Sequence, residues 1–350
     1  MIIGIAYDLK KDFGHESEGP DDRLEEYDAE ETIQALQDAL EALGHTGIRL
    51  GGGRVFLERI RTRSVDMVFN LAEGANGRNR EAHVPAVLEI LGIPYTHSDP
   101  LTMALTLDKE MAKRVVASAG IPTPDFRLIR TRGDVRHVDL PYPLIVKPAN
   151  EGSSKGIRSQ SRVDDGRHLG QEVDRLIGDY GAPVLVETFL CGQEFTVGIL
   201  GNGSPCVLGV MEIAPSSGSL EDFIYCVNTK REFDKRVRYI CPPDIASTLL
   251  GDIEEVALAA YTILGCRDVA RIDIRLDQTG TANFLEANPL PGMAPGYSDL
   301  VILAERMGWS YRELVEAILC HAFQRYGIPE APNTASFPAK RLGVRGRLWT

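Results

Sequence analysis

Apolar positions along the chain follow two spacings. Residues 1–7 (MIIGIAY) and 65–71 (VDMVFNL) are short apolar runs of strand length. Residues 30–43 place Ile33, Leu36, Leu40 and Leu43 three or four apart, which predicts an amphipathic helix stopped by Gly44. A second helix is predicted over 82–91. Strand, helix, strand, helix is the order of a parallel sheet with helices packed on it, so this part reads as an α/β domain. Between the first strand and helix, 8–28 is a polar connection rich in Gly and Asp. Gly51-Gly52-Gly53 lacks the GxGxxG spacing of a dinucleotide-binding turn, which argues against a nicotinamide oxidoreductase.

Further on, a connector begins at Ile93, and a helix runs from Lys109 to about residue 119, ended by Gly120-Ile121-Pro122-Thr123-Pro124. Strands are predicted at 142–147, 182–186 and 191–200, and 211–242 contains a loop rich in Ser, Gly and Asp. Residues 244–264 form a long amphipathic helix with Leu249, Ile253, Val256 and Ala260 on one stripe, a helix follows Tyr297-Ser298, and 309–325 is a last helix.

The stretch 270–292 organises the rest. Ile272, Ile274 and Leu276 share one strand face, and Arg271, Asp273 and Arg275 share the other. Residues 277–280 are a four-residue turn cluster and 282–285 resumes an apolar run, the signature of a β-hairpin. If Asp273 pairs across from Glu286, two carboxylates converge with the amide of Asn288. Like charges placed together repel unless a cation lies between them. Oxygen ligands of this kind suit Mg²⁺ bound together with substrate phosphates, with Mn²⁺ as a substitute. Alternating charge also fits a solvated sheet face, and only the company of all three residues with Arg271 favours the metal.

A second signal begins at Tyr142. An apolar strand delivers Lys147, and Gly152-Ser153-Ser154-Lys155-Gly156 follows. Glycine and serine let backbone N–H groups approach phosphate oxygens, and lysine acts on them as a point charge. A plain Gly/Ser turn is the alternative, and the segment is not a Walker loop.

Composition adds exclusions. The 350 residues suffice for two or three domains, with 43% hydrophobic and 25% charged residues. A net charge of −12 weighs against nucleic acid or an anionic membrane surface as the partner. No run approaches the ~20 apolar residues of a membrane span. The N-terminus has no basic region ahead of its apolar run, so it reads as a strand and not a signal peptide. Six scattered cysteines without a CxxC read as reduced thiols of a cytoplasmic enzyme.

RIDIRL at 271–276 followed by FLEANPLPGM at 284–293 resembles the C-terminal core of the ATP-grasp enzymes, and within them the D-alanine–D-alanine ligases. LDK at 107–109 with the following helix and GIPTP is similar to the same family. The resemblance implies a three-domain ATP-grasp architecture. Its parts are an N-terminal α/β domain with a parallel sheet (1–95), a central domain with the phosphate loop (96–185), a C-terminal domain with the metal and substrate site (186–328), and a tail (329–350) that is exposed or a dimer contact. It implies that Lys109, Lys147 and Lys230 meet nucleotide phosphates together with Gly152, Ser153, Ser154 and Gly156. Glu187, Thr188, Phe189 and Leu190 hold adenine, and Glu194 accepts the ribose hydroxyls. Part of 211–242 is a flap that excludes water from a reactive phosphorylated intermediate. Ser298 binds a substrate carboxylate. Arg271 and the Gly292 N–H face a developing oxyanion, and with Ser153 and Ser298 they make up the catalytic candidates.

The sequence departs from the family near the amino-acid pocket. Residues 8–28 replace a Gly-rich turn and a Ser/Glu/Arg/Glu run. Asn70-Leu-Ala-Glu-Gly74 and Asn79-Arg-Glu-Ala82 replace a His-Gly and a Gly-Glu-Asp-Gly loop. Glu25, Glu26 and Glu31 are ammonium partners or, on the plainer reading, solvated helix-start charges. Cys226 and Val227 stand where an Asp-Tyr pair is common, Arg231 replaces a tyrosine, and no proline follows Ser298.

The function implied is ADP-forming ligation of two amino acids through an acyl phosphate, with D-alanine as both substrates, in peptidoglycan biosynthesis, by a cytoplasmic homodimer using ATP and Mg²⁺. An ATP-grasp ligase joining another carboxylate and amine shares every nucleotide residue. A non-catalytic nucleotide-binding regulator is expected to have lost a metal ligand, and none is lost.

Overall fold

A computed structural model describes residues 1–14, 19–181 and 183–329. It contains three sheets. The first has strands β1 (Ile2–Tyr7), β2 (Thr46–Gly51) and β3 (Met67–Leu71) in the order β2-β1-β3, all parallel. Helices α1 (Glu30–Ala42), α2 (Gly53–Thr62) and α3 (His83–Leu91) accompany it, as the α/β reading expects. Strand β1 is a continuous apolar run because both of its faces are covered. Strand β2 escaped sequence reading because only its last two residues are buried. The three glycines turn that strand into α2, and a Cβ on Gly52 would lie 1.9 Å from Asp8 Oδ1. The helix expected from residue 82 starts at His83, after a 3₁₀ turn at Arg80–Ala82.

Helices α4 (Pro100–Leu107) and α5 (Lys109–Ser118) lead to the second sheet. Asp108 starts α5 by accepting the Met111 N–H at 3.1 Å. Strands β4 (Phe126–Ile129), β5 (Leu144–Pro148), β6 (Arg162–Val163) and β7 (Val184–Thr188) pair antiparallel in the order β4-β7-β5-β6. Helix α6 (Gly166–Tyr180) packs Leu169, Val173 and Leu176 against Leu144, Val146 and Val186. The strand expected from 182 begins at Val184, and Ala182 lies outside the described residues.

The third sheet is antiparallel, with order β10-β9-β8-β11-β12. Its strands are β8 (Glu194–Leu200), β9 (Cys206–Pro215), β10 (Val237–Ile240), β11 (Val269–Leu276) and β12 (Ala282–Asn288). The region 211–242 is therefore less loop than expected: its first five residues belong to β9 and four more form β10. Short helices α7 (Val227–Arg231) and α8 (Phe233–Arg236) lie between. Helix α9 (Ser247–Ile263) buries Ile253, Ala257, Ala260 and Tyr261, while Leu249 and Val256 are only partly buried, so its inner stripe is rotated from the expected one. Helices α10 (Asp299–Arg306) and α11 (Tyr311–Tyr326) join a core that runs on into α1 and β1 through Ile318, Phe323, Ile33 and Ile3. Residues 330–350, nearly all of the expected tail, lie outside the described residues. Among the described residues no helix is long and apolar enough to cross a membrane.

Candidate active site

The β11–β12 hairpin has the expected register. Arg271 faces Asn288, Asp273 faces Glu286, and Thr196 of β8 flanks Asp273 from the other side. The hairpin loop spans 277–281, one residue more than expected. Ile274 pairs with Phe284, which leaves Leu285 as a bulge beside the site.

Asp273 accepts from Thr196 Oγ1 at 2.7 Å, lies 3.1 Å from Arg271 Nη2 and 3.4 Å from Asn288 Nδ2. Burial, reinforced by the Glu286 charge, pushes its carboxyl up to about 7 although Arg271 opposes this. Burial acts in the same direction on Glu286. There the cations win, led by Lys109 with its Nζ 3.2 Å away and then Lys147, and hold it down at about 2. Two facing carboxyls are thus pushed apart in acidity by their surroundings, a pattern common in functional sites.

Lys109, the first residue of α5, donates to the Glu151 carbonyl at 2.6 Å as well as facing Glu286. Lys147 on β5 lies 2.5 Å from Glu187. Lys113, which sequence reading passed over, is 0% exposed and 3.0 Å from the same carboxylate. Burial pushes Lys113 down to about 8. Its one-turn spacing from Lys109 was the available signal. Asp299 was also missed, since an acid at a helix start is ordinary. It is 2% exposed, accepts from the Tyr225 and Tyr239 hydroxyls at 3.0 and 3.1 Å, binds Arg271, and lies 4.0 Å from Lys230. The Arg271 Nε is a buried donor without a hydrogen-bond partner among the described residues.

Two cavities flank these groups. The smaller, about 80 Å³, is lined by Lys147, Ser154, Asp273 and Glu194 and by Glu187, Thr188, Phe189 and Leu190. Glu194 is 3.1 Å from Arg275, whose guanidinium stacks 4.7 Å from the Phe189 ring centre. The larger, about 380 Å³, is lined by Lys109, Gly152, Asn288, Gly292 and Ser298. Ser153, Lys230, Arg271, Glu286 and Asp299 line both. A Cβ on Gly292 would lie 2.8 Å from Ser298 Oγ, so no side chain fits there without the hydroxyl moving, and that Oγ accepts the Ala294 N–H at 3.0 Å. Gly156 lines neither cavity; its N–H donates to Asp22 at 2.9 Å.

The segments around the first sheet supply several acidic residues to the larger cavity. Glu26 is not a solvated helix-start charge: it is buried, precedes α1, and is clamped by Arg80 at 2.9 Å and Lys155 at 2.7 Å. Glu25 is 2.9 Å from Arg231. Glu31 is exposed at the rim, while Asp28, Glu73 and Glu81 also line the larger cavity.

Residues 115–320 match the family model described as the D-ala D-ala ligase C-terminus. A D-alanine–D-alanine ligase of Erythrobacter litoralis is 33% identical over 309 residues, covering 86% of this chain and 90% of its own. An uncharacterized protein, y4sG, of Sinorhizobium fredii is 35% identical over 306 residues, covering 85% and 88%. Among solved structures, the D-alanine–D-alanine ligase from Bacillus anthracis complexed with ATP superimposes with a TM-score of 0.69 at 20% identity, over 93% of this chain and 99% of that one. The fold is that of the ATP-grasp ligases. Within them, the chain belongs to the D-alanine–D-alanine ligase family.

Proposed function

We propose that this protein joins two amino acids in an ATP-dependent, ADP-forming reaction, as a D-alanine–D-alanine ligase or a relative with another amino-acid pair. The observation that carries the reading is the common wall of the two cavities: one pocket for nucleotide and one for amino acids meet at Ser153, Lys230, Arg271, Glu286 and Asp299. A phosphoryl group leaving the first pocket can reach a substrate in the second across this shared lining.

In the smaller cavity, residues 187–190 take the adenine and Glu194 the ribose. Lys147, Lys230, Ser153 and Ser154 take the phosphates, with Lys109 and Gly152 closing from the larger cavity. Gly156 positions this loop through Asp22. Asp273, Glu286 and Asn288 fit Mg²⁺, because two carboxylates and an amide face one another and the Glu286 charge helps make Asp273 harder to ionise, a repulsion that a cation between them relieves. That ion would neutralise charge on the transferring phosphoryl group.

The reaction runs in two steps. A substrate carboxylate oxygen bonds to the γ-phosphorus as the bond to ADP breaks. The neutral amine of the second substrate then bonds to the acyl carbon, phosphate departs, and the nitrogen loses a proton. Arg271 and the Gly292 N–H face the oxyanion formed in between, and Ser298 holds a carboxylate. Preorganised donors of this kind act without reorganisation. The protein would act in the cytoplasm in peptidoglycan assembly and as a homodimer. Phosphate release from MgATP with D- and L-amino acids, singly and in pairs, with product masses read in parallel, tests the reading. D-alanyl-D-alanine as the product fixes the pair; release with no pair at all, despite tight MgATP binding, overturns the ligase assignment.

A further inference from the structure

Glu73 follows β3, and Glu81 sits in the 3₁₀ turn ahead of α3; both line the larger cavity. Glu81 is 7% exposed, and among the described residues neither side chain has a hydrogen-bond or ion-pair partner. The nearby cations are committed elsewhere. Arg80 donates to Glu26 and to the Asn150 carbonyl, Lys155 binds Glu26 and Glu151, and Lys109 binds Glu286 and the Glu151 carbonyl. Burial pushes Glu81 up to about 7 although the Arg80 charge opposes it, and burial with repulsion from Glu81 and Glu26 pushes Glu73 well above the carboxylate range. A buried charge without a partner is costly, and an arriving cation removes that cost.

Charge balance defines the cation. Two amino acids being joined bring one ammonium, because the attacking amine must be neutral. One ammonium pairs with one of Glu73 and Glu81 and leaves the other free for a second cation, whose arrival favours its ionised form. Two carboxylates match the several N–H donors of an ammonium or guanidinium. The same cavity is also lined by Lys109, Lys230 and Arg271, cations that a substrate's carboxylate can meet.

We infer that Glu73 and Glu81 form a specificity site for a cationic side chain, so that one of the two substrates is a diamino or guanidino acid. For the reaction this rests on the ligase reading; for binding it stands alone.

Two measurements on the full chain separate them. The first is calorimetric titration, with magnesium and a non-hydrolysable ATP analogue present, of alanine, 2,3-diaminopropionate, ornithine, lysine and arginine in both chiral forms. At least one cationic acid is expected to bind tenfold or more tightly than alanine. Glu73→Gln or Glu81→Gln is expected to reduce that ratio at least tenfold. Where a glutamine variant does not fold, Glu81→Asp keeps the charge and is expected to shift the preferred side-chain length. The second measurement is phosphate release and product mass with the same acids in pairs. Preferential binding without phosphate release sinks the ligase reading and leaves the site standing. Joining of alanine with no preference for any cationic acid, or a preference untouched by the variants, overturns the site and leaves the ligase standing.

Discussion

Asp299 holds the Arg271 guanidinium across 28 positions of sequence, while the Tyr225 and Tyr239 hydroxyls bond the same carboxylate. The charge of Asp299 therefore sets where Arg271 points. Asp299→Asn keeps the shape and removes that charge. Turnover is expected to fall on the order of 10–100-fold, as for other groups that orient an active residue. Steady-state phosphate release measures it, with a melting curve to show that the fold survives.

Removing Arg271 itself is expected to cost more. Arg271→Ala deletes a donor facing the oxyanion, and kcat should drop about 10²–10³-fold. Nucleotide binding, measured by calorimetry, should change far less. Near-normal turnover by a folded variant would remove Arg271 from this role.

Gly292→Ala places a methyl group 2.8 Å from Ser298 Oγ. The hydroxyl must turn away, losing its bond to the Ala294 N–H. An amino-acid KM about tenfold higher is expected. Ser298→Ala in the same chain relieves the clash, so the two changes should be non-additive in a double-mutant cycle.

The Glu26 clamp supports the acidic lining of the larger cavity. Arg80→Ala leaves a buried carboxylate short of one of its two cations, which typically costs about 3–5 kcal/mol. Urea unfolding should show the loss as a lower midpoint with an unchanged slope.

Asp28 gives a pH signature. Burial, with help from Asp8, raises its carboxyl from 3.8 to about 7. Between these values the folded chain binds more protons at this group than the unfolded chain, so its contribution to stability falls as pH rises. About three units correspond to an upper limit of about 4 kcal/mol. Asp28→Asn removes the dependence. Melting temperatures of the two proteins should converge near pH 4 and separate near pH 8, with the variant higher; a gap that does not widen with pH would contradict this.

Local pattern carried a large part of this molecule. Alternation along 271–276 was enough to place Asp273 opposite Glu286, because a period of two fixes which side chains share a face. Leu169, Val173 and Leu176 of α6 have helical spacing and were readable but unread. Other features are not local. Glu26 meets Arg80 and Lys155 from 54 and 129 positions away, and no spacing announces such a clamp. Asp299 looks like any helix-start acid until two tyrosines and an arginine arrive. Strand β2, half exposed, lacks the apolar run that betrays its neighbours.

The wall shared by the two cavities also has a thermodynamic consequence. Lys230, Arg271 and Glu286 present charge to both chambers, so an anion settling in one alters the field felt in the other. Under the proposed reaction, nucleotide and amino acid are then coupled ligands, and coupling between equilibrium affinities is reciprocal. Whatever factor the nucleotide applies to the amino acid's dissociation constant, the amino acid returns to the nucleotide's, whichever arrives first.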